Sequence, residues 1–172
     1  DKIVNILNET LSQAEAGKLK IEKEFEDMHS KIEFILTDKL GDIGKKIHTA
    51  RSRNDQVLVS IQLYLIDELN FIKTEVKSLF DLLINLAKEN KDIIMPGYTH
   101  MRAAMPSSFG LWFSAYAETL IDDIINLNST IEIVNQNTLG SAAGYGTSFD
   151  IDRDFTTKDL NFKILKYNSL AC

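Results

Sequence analysis

The sequence predicts an all-α protein, a bundle of long helices. Eight Gly and two Pro among 172 residues are about half the usual share of near 12%, which leaves little material for turns. Residues 55–90 contain neither. Through them Leu58, Ile61, Leu65, Leu69, Ile72, Val76, Leu79, Leu83 and Leu86 recur at spacings of three and four, the period of an amphipathic helix.

Taken in order, residues 1–16 carry Ile3, Leu7, Leu11 and Ala14 at helical spacing, and Gly17 ends them. A second helix is expected over about 20–38, with Ile21, Phe25, Met28, Ile32 and Ile35 on one face. Gly41 and Gly44 stop it and open a polar loop. The long helix over 55–90 follows, with Asn54 or Asp55 expected as its cap. Such a helix spans about 54 Å at ~1.5 Å per residue. A compact sphere of this chain length is only ~40 Å across, so an elongated molecule is expected. Met95-Pro96-Gly97 closes the next connection as a loop. A third helix, over about 107–135, repeats the pattern with Phe109, Phe113, Tyr116, Leu120, Ile124, Leu127, Ile131 and Val134. Val59, Leu63, Ile66, Phe80 and Ile84 lie outside the stripes and widen the apolar arc, which calls for further helices, supplied by a homo-oligomer. Residues 140–148 read as a glycine loop, and a short helix is expected near 156–166. The organisation expected is a region of short helices and loop over 1–50 leading into a long-helix region over 51–172.

Composition excludes several classes of function. Nineteen Lys+Arg against 25 Asp+Glu leave a net charge of −6, whereas a nucleic-acid binder shows a basic footprint. No apolar run reaches the ~18–20 residues of a membrane span, so no membrane partner is expected. The single cysteine, Cys172, cannot pair within the chain, which suits a reducing, cytoplasmic compartment. The chain starts at Asp1 and stops at Cys172 without a start or stop signal, and it is expected to be a piece of a longer protein.

Chemistry-bearing residues gather beside the helices. His48-Thr49-Ala50-Arg51-Ser52-Arg53-Asn54-Asp55-Gln56 stands directly before the most apolar helix. Free backbone N–H groups and Arg forks at a helix start can hold a carboxylate or phosphate; a capped helix start with a solvated charge cluster is the plainer reading of the same residues. Tyr98-Thr99-His100 offers a group that moves protons near neutral pH beside two hydroxyls, or simply a loop histidine bonded to backbone. His29 with Glu33 one turn on reads as a pocket residue or as a surface pair. There is no His-Glu-x-x-His and no paired cysteine, so no metal site is expected. Gly140, Gly144 and Gly146 fit neither a dinucleotide fingerprint nor a P-loop, and no strand is expected ahead of them. No Gly-x-Ser-x-Gly elbow presents a nucleophile. Non-covalent acid–base chemistry on an anionic substrate is what remains.

These residues also carry a family resemblance. Gly41-Asp42-Ile43-Gly44 followed by His48 through Val57 resembles the first conserved segment of the argininosuccinate lyases, and Met95-Pro96-Gly97-Tyr98-Thr99-His100 resembles the second. Glu26-Asp27-Met28-His29, Leu139-Gly140-Ser141 and Ile151-Asp152-Arg153 match in the same order, so the resemblance covers about residues 20–172. The first segment separates this family from fumarase, aspartase and adenylosuccinate lyase. The resemblance implies the fumarase/aspartase-type helical core of a homotetramer, with each active site assembled from three subunits. It implies reversible β-elimination of argininosuccinate to arginine and fumarate, without a metal or organic cofactor.

Carried over by position, His100 takes part in proton transfer. Asn54, Thr99, Arg53, Ser52 and His29 bind substrate or line the pocket, Arg51 braces the segment, and the loop over 140–148 forms part of the wall. The chain departs from the family at Ser30, Lys31, Arg102 and Met105, which touches local contacts only. The family's Gly-Ser-Ser-x-Met-Pro-x-Lys-x-Asn loop and its N-terminal segment are not in this sequence; Met105-Pro106-Ser107-Ser108 reverses the order and is a decoy. The 172-residue chain alone is therefore expected to be inactive. Other roles compatible with these residues are a non-catalytic structural relative of the δ-crystallin kind, a helical oligomerisation fragment, and a sibling lyase for another fumarate-yielding substrate.

Overall fold

A computed structural model describes all 172 residues. Helix takes 62% of them, and the chain divides into two compact units, Asp1–Ser60 with Asn137–Cys172, and Ile61–Gln136.

The first unit opens with α1, Lys2–Glu15, and α2, Met28–Leu40. Ile6 and Leu36 are among its buried side chains, and Lys39 pairs with Glu9 at 2.7 Å. The second helix starts eight residues later than its apolar spacing suggested. Asp27 is the reason. Extended at φ −159°, it accepts a hydrogen bond from the Ser30 N–H at 2.8 Å and caps α2. The residues before it fold back: the Phe25 ring lies 5.3 Å from Phe34, and Lys31 Nζ sits over the Phe25 ring and 2.6 Å from Glu22.

A short helix α3, Asp42–Lys45, and a 3-10 turn, Lys46–His48, follow. Gly44 is required there, since a Cβ would fall 2.2 Å from the Leu36 carbonyl oxygen. Helix α4, Arg53–Glu89, supplies its first turns to this unit. Toward the end of the chain come a two-residue β3, Gln136–Asn137, paired with β4, Ile164–Leu165, and between them α6, Arg153–Asp159. A strand therefore precedes the glycine loop, contrary to expectation, although it is only two residues long. Helix α6 lies earlier than the expected 156–166 because Asp152 caps it through the Phe155 N–H and left-handed Asn161, φ 56°, ends it. A 3-10 turn, Ser169–Ala171, closes the chain.

The second unit holds the rest of α4, an antiparallel hairpin of β1, Ile94–Thr99, and β2, Arg102–Ser108, then α5, Phe109–Val134, capped by Ser108. The hairpin stands where a loop was expected. Pro96 and Pro106 face each other in its register, and proline in such a run argues against a strand. In a two-stranded ribbon, however, both strands are edges with outward positions that need no donor. Among the hydrophobic residues of this unit only Ala117 is fully buried, while Tyr64, Phe71, Leu82, Leu111, Tyr116, Ile125 and Ile133 are exposed. Its helices leave a groove of about 590 Å³ lined by Val76, Phe80, Leu120, Ile121 and Ile124. No helix of the molecule is long and apolar enough to cross a membrane.

Candidate functional site

The start of α4 organises the first unit's polar residues. Ser52 caps the helix, its hydroxyl accepting from the Asn54 N–H at 3.2 Å, and its own N–H donates to Asp55 Oδ1 at 3.0 Å. The spacing is that of a capping box, serine three residues ahead of a carboxylate, but the serine hydroxyl takes the second helical N–H instead of the third. Ser52, rather than Asn54 or Asp55, is therefore the cap, and Asp55 answers it.

Asp55 does more than close the box. It is 1% exposed, and its second oxygen accepts from the Gly140 and Ala142 N–H groups at 2.9 and 3.0 Å. One carboxylate thus fastens the glycine loop to the beginning of α4. That loop is held from behind as well. Arg153 Nε donates to the Leu139 carbonyl at 2.8 Å and Nη2 to that of Lys166 at 3.1 Å. Buried Asn137 donates to Thr157 Oγ1 at 2.8 Å and accepts from the Leu139 N–H at 2.9 Å. Ser141, buried, receives the Gly144 and Gly146 N–H groups on its carbonyl.

Arg53 faces the other way. Its Nη1 donates to Asp27 Oδ1 at 2.6 Å and to Ser30 Oγ at 2.8 Å, joining the start of α4 to the start of α2. Its Nη2 lies 3.4 Å from Glu33 Oε1, and His48 Nδ1 lies 2.9 Å from the same oxygen. Both are ion-pair distances without hydrogen-bond alignment. Glu33 is therefore the partner of His48 and Arg53, not of His29 as the one-turn spacing suggested. His29, half-buried, occupies the first turn of α2 between Asp27 and Ser30, the residues that hold Arg53.

Charge follows this geometry. The Ser30 N–H above all holds the Asp27 carboxyl below the ordinary carboxylate value; burial, the next largest effect, opposes it, and the Arg53 guanidinium and the Ser30 hydroxyl each add a smaller lowering. Burial lowers the Arg51 guanidinium, opposed by the Glu33 and Asp55 carboxylates. Arg51 Nε and Nη2 and Gln56 Oε1 are buried without a protein partner.

Asn54 is exposed at the rim of a cavity of about 180 Å³ lined also by Asp55, Leu58, Ser141, Ala142 and Gly144. The first unit thus brings together Ser52, Asn54 and the glycine loop on one side of the helix start, and Arg53 with the turn bearing His29 on another.

Thr99 and His100 belong to the second unit, at the tip of its hairpin. Thr99 pairs with Arg102, leaving His100 and Met101 as the two turn residues, both left-handed at φ 47° and 62°. A two-residue turn of this kind normally uses Asn-Gly, because side chains resist positive φ. Here a histidine is held at the point of the ribbon, exposed, beside a methionine that is 97% exposed. No three His, Cys, Asp or Glu side chains converge as a metal site does.

Residues 1–170 match a family described as lyase. The chain belongs to the lyase family. It is 53% identical to the argininosuccinate lyase of Phocaeicola vulgatus over 94% of its length, which is 36% of that relative. To the argininosuccinate lyase of Thermotoga neapolitana it is 44% identical over 98% of its length, 42% of that relative. The chain therefore spans about two fifths of the curated relatives it matches. Among solved structures, an EDDS lyase variant with bound fumarate superimposes with a TM-score of 0.86 at 27% identity, covering 97% of this chain and 32% of that one. A class II fumarase from Schistosoma mansoni shares the fold, with a TM-score of 0.71 at 17% identity over 94% of this chain and 39% of that one. The helical fold of this lyase superfamily is thus the fold of this chain.

The cap of α4 was expected at Asn54 or Asp55; the Ser52-x-x-Asp55 spacing was the signal that could have placed it at Ser52. That the same carboxylate would reach residues 85 and 87 positions away left no local signal.

Proposed function

We propose that this chain contributes two of the segments from which an argininosuccinate lyase builds its active sites. The protein that carries it catalyses the reversible β-elimination of argininosuccinate to arginine and fumarate. The observation that carries the reading is the start of α4: Ser52, Arg53 and Asn54 sit on the N-terminal turn of a 37-residue helix, within a chain 53% identical to an argininosuccinate lyase over nearly its whole length. A helix N-terminus with an exposed Asn54 amide suits a substrate bearing several carboxylates.

In this reading a base removes a proton from the carbon next to a carboxylate, and the electron pair moves into that carboxylate as an aci-carboxylate. The C–N bond then breaks as the guanidinium nitrogen receives a proton, giving fumarate and arginine. Asn54 and Ser52 bind carboxylate oxygens and offset the charge that develops there. Thr99 donates to the substrate, and His100 moves the proton directly or positions the group that does. Arg53, joined to Asp27 and Ser30, fixes the helix start against the turn that bears His29 while presenting its charge to the site. The fumarate bound by the related EDDS lyase variant is consistent with a fumarate-forming site in this fold.

The apolar faces of α4 and α5 require cover from other helices, which supports a homo-oligomer; the homotetramer, its shared sites and its cytoplasmic location belong to the argininosuccinate lyase reading. The test is turnover by the complete protein, offered argininosuccinate and adenylosuccinate in one competition assay. Fumarate release from argininosuccinate with little from adenylosuccinate is expected. Binding of argininosuccinate without release would replace this reading with a structural relative. Preference for adenylosuccinate would replace it with a sibling lyase.

A further inference from the structure

We infer that Asp55 is a positioning residue for substrate binding: its buried carboxylate locks the loop over 140–146 onto the first turn of α4, and so sets the cavity at whose rim Asn54 stands. The inference rests on the lyase reading above and adds a residue and a mechanism to it. The geometry is specific. Asp55 Oδ1 takes the Ser52 N–H at 3.0 Å, while Oδ2 takes the Gly140 N–H at 2.9 Å and the Ala142 N–H at 3.0 Å.

The two loop amides converge because the backbone alternates in hand. Gly140 and Ala142 are both left-handed, at φ 90° and 51°, and backbone of this form turns successive N–H groups toward one anion. Ala142 has no steric reason to adopt that conformation; the Asp55 oxygen supplies one. Glycine is favoured at position 140 on two counts. Beyond its φ, a Cβ there would fall 2.8 Å from Ile151 Cδ1 and 2.9 Å from Arg153 Cδ. The same loop residues, Ser141, Ala142 and Gly144, line the cavity of about 180 Å³ with Asn54 and Leu58. Losing the Asp55 carboxylate therefore frees the loop wall of that cavity beside Asn54.

An amide in place of the carboxylate keeps the shape and breaks the pattern. Asn has one acceptor oxygen, so its NH₂ group must face either the Ser52 N–H or the paired loop N–H groups, donor against donor. In either orientation one group no longer holds both the Ser52 N–H and the loop amides, so the loop loosens on the first turn of α4.

The test compares the complete protein with its Asp55→Asn and Gly140→Ala variants, and with Glu9→Gln as a carboxylate-to-amide control on an exposed pair. Steady-state fumarate release and amide hydrogen exchange are followed in each. Asp55→Asn is expected to raise the KM for argininosuccinate on the order of tenfold to a hundredfold with kcat changed much less, because a misplaced binding wall costs ground-state and transition-state binding together. Exchange at Gly140 and Ala142 should quicken while that of α1 and α2 does not. Gly140→Ala, which displaces the loop from the Arg153 side, should reproduce the KM effect, and Glu9→Gln should stay within about twofold of the parent.

An assembled Asp55→Asn protein with unchanged KM, or with kcat lowered at constant KM, overturns the inference. If Asp55→Asn does not assemble, an unchanged KM in Gly140→Ala overturns it and a raised one supports it. If neither variant assembles, slow exchange at Gly140 and Ala142 in the parent supports the clasp and fast exchange removes it. Failure of the parent protein to release fumarate strikes the lyase reading instead, and is told apart because the exchange comparison still judges the clasp.

Discussion

The two units of this chain are held by opposite means. In the first, polar groups are turned inward and many are paired, atoms of Arg51 and Gln56 being exceptions. Asp55 receives three backbone N–H groups, Asn137 binds Thr157 and Leu139, and Arg53 spans Asp27 and Ser30. In the second, two long helices and a hairpin leave aromatic and aliphatic side chains exposed and bury only Ala117 among their hydrophobic residues. Buried polar groups that are fully satisfied specify one arrangement, so the first unit can fix a helix start and a loop from within. The second has nothing comparable, and its apolar faces gain stability only from surface that covers them. The contrast extends to the proposed site residues: Ser52, Asn54, Arg53 and His29 sit in the internally fastened unit, Thr99 and His100 on the exposed ribbon.

That contrast can be broken in order of expected effect. In the complete protein His100→Ala should lower kcat about 10²–10⁴-fold, the usual range for a lost proton-transfer group, with unchanged assembly by light scattering. A loss under tenfold would make His100 a turn residue only. Leu36→Ala strikes the first unit's core, where Leu36 is fully buried, and should cost about 2–5 kcal/mol in denaturant unfolding. A loss below 1 kcal/mol on the scale of an exposed site would show that polar clasps alone hold this unit. Met101→Gly should stabilise the hairpin by up to about 1 kcal/mol by relieving its left-handed backbone. A lower melting temperature would instead assign the exposed Met101 side chain a packing partner in the assembly.

The smallest effect concerns pH. Because the Asp27 carboxyl is held below its ordinary value, its share of stability is present above the unfolded carboxylate range near 4 and is lost as pH falls through the lower folded value. The stability difference between the parent and Asp27→Asn should therefore be constant near neutral pH and vanish in acid. A difference that grows on acidification would contradict the capping role.

Much of the helical fold was legible because it rests on period. The stripe from Leu58 to Leu86 needs no partner to be recognised, and α4 begins and ends within two residues of where that stripe placed it. The hairpin was hidden by its own residues, since Pro96, Gly97 and Pro106 read as a loop and His100-Met101 is not a turn dipeptide. Helix α2 started late because Asp27 outcompetes the apolar spacing of Ile21 and Phe25, a contest decided by capping and by the Phe25–Phe34 contact. At the site, the polar run from His48 to Gln56 announced a helix start, with the cap expected at Asn54 or Asp55 and found at Ser52. The links from Asp55 to Gly140 and from Arg53 to Asp27 join distant stretches of chain, and spacing carries no record of them.

The most direct test of the account is a mixing experiment with the complete protein, using one subunit type carrying Asn54→Ala and another carrying His100→Ala. If the two segments serve one site from different subunits, each variant alone is nearly inactive. Hybrids formed by unfolding and refolding an equal mixture should then recover roughly a quarter of parental fumarate release, the share of sites that draw both residues intact in a symmetric oligomer. No recovery above the separate variants, in hybrids shown to have exchanged subunits, would contradict the account.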